Sequence, residues 1–208
     1  MYIENINSPK DIKELSVEQL SVLAEEVRTA LIRKLSEHGG HIGPNLGMVE
    51  TTIALHYVFN SPIDKIVFDV SHQSYVHKML TGRMAAFLDP AKYDDVTGYT
   101  NPDESEHDFF TIGHTSTSVS LAMGLAKGRD LTGGKENIIA VIGDGSVPSC
   151  CCNVNINVVS IVNYLGISLN GSVAAEGVRN GIAVIGSGLH FAVGRSNRNG
   201  KTFAGLES

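Results

Sequence analysis

One aspartate lies between two glycines directly after an apolar run of the chain. The run spans residues 138–142 and leads into Gly143, Asp144 and Gly145. An apolar run of this length that ends in a glycine turn is typical of a buried parallel strand. The turn places the carboxylate at the carboxyl end of the strand, where open α/β sheets bind their ligands. A single carboxylate there suits Mg²⁺, although many strand-to-turn junctions carry the same three residues without a metal.

Three histidines are predicted to lie in loops at the ends of regular elements. His41 follows a pair of glycines, His72 follows a short apolar strand, and His114 precedes a helix. If these loops share one edge of the sheet with Asp144, they form a polar site that can move protons. A histidine in a single loop is also a common surface residue. His38, His56, His77 and His107 have no such placement. Of these, His56 lies on an apolar helix and is expected in the core.

The start of the helix after His114 suits an anion. The free N–H groups and the dipole of a helix both favour negative charge at its N-terminus. Gly113 lets a ligand approach the backbone closely, and Thr115 and Ser116 add hydroxyl groups. This segment is therefore predicted to accept a diphosphate.

The apolar periodicity predicts the elements that must position these residues. Ser16 and Gln19 form a capping box at the start of a helix, which ends at Gly39 and Gly40. The apolar stripe of this helix consists of Leu20, Leu23, Ala24, Val27, Leu31 and Leu35. After a loop over residues 41–45, a second helix is predicted to begin at about residue 46 and to end at residue 59.

Strands and helices alternate in the middle of the chain. The pattern predicts a strand over 66–70, a short helix through residue 80, irregular structure over 82–112, a helix over 116–131 and the strand over 138–142. A long irregular segment inside a compact domain is usually functional or mobile. The alternation predicts an α/β fold with a mainly parallel sheet and flanking helices.

The sequence changes in character after residue 146. Residues 147–208 contain only two acidic residues, and strands are predicted over 156–169 and 182–186. No capped amphipathic pattern lies between residues 150 and 170, although a parallel sheet needs a crossover there. We therefore expect a domain over 1–146 and a divergent or rearranged segment over 147–208 that could complete the sheet. The fold is expected to be incomplete after residue 146.

Composition and charge argue against several classes of protein. The net charge is -6 without clustered Lys and Arg, so binding to nucleic acid or to an anionic membrane surface is not expected. No apolar run approaches the roughly 20 residues that span a bilayer, and the first residues lack a signal-peptide pattern, so we expect a cytoplasmic protein. The only cysteines, Cys150, Cys151 and Cys152, are adjacent, which fits unpaired thiols better than disulfides or a zinc site.

Five motif blocks carry a resemblance to a known enzyme family. They are residues 39–47, 69–83, 104–108, 113–118 and 143–145. In their order and spacing they resemble the amino-terminal part of the 1-deoxy-D-xylulose-5-phosphate synthases, which are thiamine diphosphate enzymes of the transketolase superfamily. The resemblance extends over residues 36–146, about half of the chain, and implies a thiamine diphosphate-binding fold.

The resemblance implies roles for the residues in these blocks. It implies that His41 and His72 face the thiazolium ring and the bound donor. There they would handle protons during pyruvate addition, decarboxylation and attack on the acceptor, glyceraldehyde 3-phosphate. The implied activity is a transketolase-type transfer in isoprenoid, thiamine and pyridoxal precursor synthesis. The cofactor-binding residues that it implies are His72, Gly113, His114, Thr115, Ser116, Gly143, Asp144 and Gly145.

The resemblance also implies a metal site of two protein ligands. Asp144 would bind the Mg²⁺ that holds the cofactor diphosphate. The candidate for the second ligand is Asn170, which follows the apolar residues 167–169 and lies 26 positions after Asp144. The alternative for Asn170 is an ordinary turn residue.

Three hypotheses for function follow from what the family carries beyond these blocks. The resemblance implies a second domain with the glutamate that activates the aminopyrimidine, and these 208 residues show no counterpart of it. The chain is then a truncated synthase that is inactive alone, or a split subunit completed in a homodimer or by a partner that carries the second domain. The third hypothesis is a non-catalytic remnant or interaction module. An intact crossover after Gly145 would favour the first two, and its absence favours the third.

Overall fold

A parallel β-sheet lies at the centre of the molecule. The computed structural model describes residues 1–143 and the backbone of a strand at 182–187. Within these residues the sheet has the order β1-β2-β3, where β1 is Lys65–Phe68, β2 is Ile138–Gly143 and β3 is Ile182–Ser187. The predicted α/β class and the three strands at these positions are confirmed. The strand predicted over 156–169 and the expected break in the fold after residue 146 lie outside the described residues.

Helices cover the sheet on both sides. In the described part of the chain they are α1 (Pro9–Ile12), α2 (Val17–His38), α3 (Ile42–Leu46), α4 (Val49–Val58), α5 (Tyr75–Lys78), α6 (Ala85–Leu88) and α7 (Ser118–Thr132). A 3₁₀ turn at Ile3–Asn5 precedes them, a π-type turn at Met79–Arg83 joins α5 to α6, and a second 3₁₀ turn at Pro90–Asp95 follows α6. None of the helices between residues 1 and 143 is both long and apolar enough to cross a membrane.

Helix α2 has the capping box and the apolar stripe that its sequence predicts. The hydroxyl of Ser16 accepts a hydrogen bond from the backbone N–H of Gln19, and the Gln19 side chain accepts one from the N–H of Ser16. The six predicted stripe residues are all buried. The helix ends at Gly39, whose φ of 85° is a left-handed value that glycine adopts without a steric cost.

Two of the predicted elements differ from the structure. The helix predicted over 46–59 and the loop before it are instead two helices, α3 and α4, which are separated because Met48 leaves helical geometry at φ -111° and ψ 6°. The irregular segment 82–112 contains α6 and the 3₁₀ turn after it. Both elements are too short for apolar periodicity to reveal them, and the turn is capped by the Asp89 carboxylate, which accepts from the N–H of Ala91.

The two faces of the sheet pack against different helices. Successive side chains of a strand point to opposite faces, so β1 and β2 each contribute to both. One face packs on α4 in a cluster of Met48, Leu55, Phe59, Ile66, Phe68, Ile139 and Val141. The other packs on α7 in a cluster of Val67, Ile112, Val119, Ala122, Ala126, Ile138, Ala140 and Ile142. Each large apolar side chain buried here contributes roughly 1.5–3 kcal/mol relative to its exposed state.

Asp69 joins the end of β1 to the start of α7. Its side chain is buried, and its two carboxylate oxygens accept hydrogen bonds from the backbone N–H groups of Ser116, Thr117 and Ser118 at 2.9, 3.0 and 3.0 Å. These are N–H groups at the helix start that lack partners within the helix. The negative charge also interacts favourably with the dipole of α7. Asp69 therefore fixes the entry of α7 against the carboxyl edge of the sheet.

A buried chain of polar groups runs from helix α4 to the segment that follows the second 3₁₀ turn. His56 Nε2 lies 2.9 Å from His77 Nδ1, and His77 Nε2 lies 2.9 Å from an oxygen of Asp108. Asp108 also accepts two hydrogen bonds from the Arg83 guanidinium and one from the backbone N–H of Asn101. Burial raises the pKa of Asp108, but the hydrogen bonds from Arg83 and His77 outweigh it and hold this pKa far below its usual range. The expectation that His56 is a core residue is confirmed.

Glu104 extends this network to the surface. One of its oxygens accepts from Lys78 at 2.6 Å and from Arg83 at 3.2 Å. The other accepts from both the backbone N–H and the hydroxyl of Thr97. The network thereby fastens the segment 97–108 to the helical turns 75–83. The side chains of Lys78 and Arg83 are almost completely buried. Removing Glu104, or one of these two cations, would therefore leave a buried charge without compensation.

We predict that Asp69→Ala lowers the free energy of unfolding by about 2–3 kcal/mol, because three N–H groups at the start of α7 lose a charged acceptor. Urea denaturation followed by circular dichroism measures this change. Asp103→Ala is the matched control, since it removes the same charge from an exposed site. A loss for Asp69→Ala no larger than that of the control would contradict the structural role of Asp69.

The His56 imidazole makes the stability of the protein depend on pH. Burial lowers the pKa of His56 well below its ordinary value, and the neighbouring His77 lowers this pKa further. As the pH falls below about 6.5, the unfolded chain binds a proton at this position before the folded chain does, so stability that is present at neutral pH is lost. We predict that His56→Gln reduces the loss between pH 7.5 and 5 by up to about 1.4 kcal/mol per pH unit. A slope for His56→Gln equal to that of the wild type would refute the prediction.

Candidate functional site

His41 and His72 lie side by side at the carboxyl edge of the sheet. His41 is the residue before helix α3, and His72 is in the turn that follows β1. Their ring centroids are 5.4 Å apart and the rings are nearly perpendicular, at 80°. The structure therefore brings together these two of the three histidines that the sequence singles out, and both are only partly buried.

The side-chain amide of Asn45 connects the two histidine-bearing loops. Its nitrogen donates to the backbone carbonyl of His41 at 2.7 Å and to that of His72 at 2.8 Å. Its oxygen accepts from the backbone N–H of Tyr75 at 2.9 Å. Asn45 is completely buried, so both N–H groups and the oxygen of the amide need these partners. Asn45 therefore fixes the relative position of the two histidines.

The two imidazoles have different surroundings. His41 Nδ1 lies 3.2 Å from the Tyr75 hydroxyl, and the His41 ring contacts the edge of Tyr99 at a centroid distance of 5.4 Å. Burial lowers the pKa of His72, and the nearby His41 lowers it further, so the neutral form of His72 is favoured. The Nδ1 atom of His72 is buried without a hydrogen-bond partner among the described residues. A neutral imidazole can accept a proton near pH 7.

The turn that presents His72 has an unusual backbone. Val70 and Ser71 both have positive φ, at 60° and 67°, which is strained for residues with a side chain and above all for a β-branched one. The Ser71 hydroxyl holds this conformation, because it donates to the carbonyl of Ile112 at 2.6 Å and accepts from the N–H of Thr100 at 3.1 Å. The Ser71 side chain thus connects the turn that contains His72 to the segment that leads into Gly113.

The segment at the start of α7 is only in part free to bind an anion. Gly113, His114 and Thr115 are exposed, and a Cβ on Gly113 would meet open space. The His114 Nδ1–H donates to the carbonyl of Thr115 at 2.9 Å. Ser116 has a positive φ of 65°, so α7 begins at residue 118 and not at 116 as predicted. Because Asp69 already takes the N–H groups of residues 116–118, a phosphate would have to use the exposed residues 113–115.

The end of strand β2 lies beside the end of β1. Val141 pairs with Phe68, and the N–H of Asp69 donates to the carbonyl of Val141 at 2.7 Å. Gly143, the last residue of β2, is therefore at the same edge of the sheet as the His72 turn. The predicted residues Asp144, Gly145 and Asn170 lie outside the described residues. Among residues 1–143, no three His, Cys, Asp or Glu side chains are grouped as a metal site.

Four residues of this site were not assigned a role by sequence reasoning. Asn45, Asp69, Tyr75 and Tyr99 all lie within or beside the motif blocks, but each acts through contacts with residues distant in the chain. The available signal was the position of Asp69 directly after a strand, which is a usual place for a polar site residue. Periodicity and spacing gave no signal for the amide of Asn45 or the hydroxyl of Tyr75.

A small cavity of about 200 Å³ lies behind the Tyr75 ring. Lys34, Phe87 and Tyr93 form part of its wall. The Lys34 ammonium is buried and donates to the carbonyls of Ala86 and Tyr93 at 2.8 and 3.0 Å. Two of its three N–H groups are therefore used within the protein, which ties α2 to α6 and to the 3₁₀ turn.

Comparison with known proteins identifies the family. The family model described as 1-deoxy-D-xylulose-5-phosphate synthase matches residues 3–172. The 1-deoxy-D-xylulose-5-phosphate synthase of Caldanaerobacter subterraneus subsp. tengcongensis is 54% identical over 145 residues, which are 70% of this chain and 23% of the relative. That of Dictyoglomus turgidum is 47% identical over 163 residues, or 78% of this chain and 26% of the relative. That of Halalkalibacterium halodurans is 53% identical over 147 residues, or 71% and 23%.

The matched region is longer than the motif blocks that carry the resemblance in the sequence. It begins before residue 36 and continues beyond residue 146, so it includes Asn170. The chain spans about a quarter of the length of the curated relatives that it matches. The match to more than half of the chain, together with the identity to these relatives, shows that the chain belongs to the 1-deoxy-D-xylulose-5-phosphate synthase family.

Proposed function

We propose that this chain forms the part of a 1-deoxy-D-xylulose-5-phosphate synthase that holds the diphosphate of thiamine diphosphate through Mg²⁺. The complete enzyme would condense pyruvate with glyceraldehyde 3-phosphate and release CO₂. The observation that carries the proposal is the pair His41 and His72, held by Asn45 at the sheet edge where β2 leads into Asp144. The family match supports the same assignment.

The residues at this edge fit the chemistry of the cofactor. The imidazoles of His41 and His72 are only partly buried, and the exposed Gly113 leaves room for a phosphate to approach the backbone. His114 and Thr115, and Ser116 through its side chain rather than its N–H group, would contact the diphosphate from the loop before α7. Gly143 and Gly145 would let it approach the turn after β2.

Asp144 would supply the first protein ligand of Mg²⁺. It follows Gly143, the last residue of β2, directly in the chain. A single carboxylate suits Mg²⁺, which keeps its other positions for phosphate and water. Asn170 is our candidate for the second ligand, and its place within the matched range supports that choice.

The protein's part in the chemistry would fall to the two histidines. When bound, thiamine diphosphate supplies a nucleophilic carbon and an electron sink for the decarboxylation of a keto acid. His72, whose imidazole is neutral near pH 7, would exchange a proton with an oxygen of the bound substrate. His41, beside it, would donate a hydrogen bond to an oxygen that gains negative charge.

The complete active site would need residues beyond those matched here. The curated relatives are about four times as long as the matched part of this chain. We propose that a homodimer or a partner with the second domain supplies the missing half. The hypothesis of a non-catalytic remnant is the alternative, and cofactor binding separates it from the first two.

We predict that Asp144→Ala weakens the Mg²⁺-dependent binding of thiamine diphosphate at least about tenfold, which is roughly 1.4 kcal/mol, because the diphosphate loses its metal-mediated anchor. Isothermal titration calorimetry with and without Mg²⁺ measures the effect on the 208-residue polypeptide. Asp103→Ala, which removes a charge from an exposed position, should bind like the wild type. An unchanged affinity in Asp144→Ala would disprove the assigned metal role.

We also predict negligible turnover of pyruvate and glyceraldehyde 3-phosphate by the 208-residue polypeptide alone, because the family resemblance implies that a second domain supplies part of the cofactor site. Coupled assay of CO₂ release, and mass spectrometry of the product, measure turnover in the presence of thiamine diphosphate and Mg²⁺. Robust formation of the five-carbon product by the purified polypeptide would contradict this prediction.

A further inference from the structure

The hydroxyl of Tyr75 makes both of its hydrogen-bond contacts with the same residue. It accepts a weak hydrogen bond from the backbone N–H of His41 at 3.4 Å, and it lies 3.2 Å from His41 Nδ1. The Tyr75 ring is buried and packs against Phe87. The backbone N–H of Tyr75 is held by Asn45, which fixes the backbone position from which the ring extends. The hydroxyl is therefore fixed beside His41.

The donors and acceptors of this contact determine the protonation of His41. A backbone N–H only donates, so it occupies a lone pair of the phenol oxygen and leaves the phenol proton free. Among the described residues, the partner left for that proton is His41 Nδ1, which then accepts. Burial raises the pKa of the Tyr75 phenol, so the hydroxyl keeps its proton at neutral pH. A neutral imidazole that accepts at Nδ1 carries its own proton at Nε2.

We propose that Tyr75 is a positioning residue that holds His41 in the Nε2–H tautomer, so that His41 presents a hydrogen-bond donor to an oxygen of the bound ligand. If the imidazole gains a second proton, Nδ1–H donates to the Tyr75 oxygen and Nε2–H still donates outward. His41 therefore donates at Nε2 in both protonation states. The tautomer follows from the contacts of this chain, and only the identity of the ligand rests on the proposed function.

This arrangement assigns different roles to the two histidines. To act as a base at Nε2, neutral His41 would have to break the hydrogen bond from Tyr75 and change tautomer. Donation to an oxygen that becomes negatively charged needs no such change. Among the described residues, no tyrosine hydroxyl is hydrogen-bonded to the His72 imidazole, so this restriction applies to His41. His72, whose lowered pKa favours the neutral form, is the histidine better suited to accept a proton.

Tyr75 has a close packing neighbour that makes the hydroxyl position precise. Gly40 has a φ of 128°, and a Cβ added there would lie 2.9 Å from the Tyr75 oxygen and 2.8 Å from Leu35. The absence of a side chain at Gly40 is thus what makes room for the hydroxyl. Tyr99 provides a contrast, because its ring contacts His41 but no hydrogen bond described in the structure joins it to the His41 imidazole.

Multiple-bond ¹H–¹⁵N spectra of the 208-residue polypeptide with ¹⁵N-labelled histidine distinguish protonated from unprotonated ring nitrogens. At a pH where His41 is neutral, we expect an unprotonated Nδ1 and a protonated Nε2. Tyr75→Phe should give averaged nitrogen shifts from a mixture of both tautomers, whereas Tyr99→Phe should keep the wild-type pattern. Circular dichroism checks that both variants remain folded.

The wild-type spectrum decides the proposal even if a variant fails to fold. An Nδ1–H tautomer for His41 in the wild type would overturn it, and so would an unchanged tautomer in folded Tyr75→Phe. Because the spectra are recorded without cofactor or metal, they do not depend on the proposed function. Failure of thiamine diphosphate to bind in calorimetry would instead remove the assignment of the ligand and leave the tautomer in place.

Discussion

The candidate site depends on the buried amide of Asn45. The carbonyls of His41 and His72 belong to loops that leave different elements, and nothing in the sequence spacing alone brings them together. The amide gives one N–H to each carbonyl and uses its oxygen to hold the N–H of Tyr75. Asn45 lies within the short helix α3, so a single turn of helix places one amide between the two loops. An aspartate at the same position would lack the two donors, so the geometry specifies an amide.

A second constraint lies at the same edge of the sheet, where a carboxylate already occupies the start of α7. Asp69 neutralises the N–H groups that would otherwise attract a phosphate, and it ties this helix to β1. A diphosphate at this edge would meet that negative charge, so it needs a cation and the exposed loop 113–115 to be held nearby. This electrostatic argument gives Mg²⁺, and Asp144 beyond β2, more weight than the helix dipole on which the sequence interpretation relied.

The sequence predicts the parts of this molecule that depend on local patterns. The capping box of Ser16 and Gln19, the stripe of α2 and the apolar strands β1 and β2 follow from periodicity and are confirmed. The break at Met48 and the short helix α6 were missed, because single turns carry too few residues for a periodic signal. The buried chain from His56 through His77 to Asp108 was also missed, since it joins residues far apart in the chain. For the site, residue types and loop positions identified His41 and His72, but the contacts that hold them became visible only in three dimensions.

The proposed binding of thiamine diphosphate with Mg²⁺ at the carboxyl ends of β1 and β2 can be tested through backbone amide shifts. These shifts are recorded on the ¹⁵N-labelled 208-residue polypeptide during titration with both ligands. We expect saturable shifts that are largest at His41, His72, Gly113 and Gly143, and much smaller shifts if Mg²⁺ is omitted. Shifts confined to the cavity lined by Lys34 and Phe87, or shifts at the sheet edge that do not depend on Mg²⁺, would contradict it.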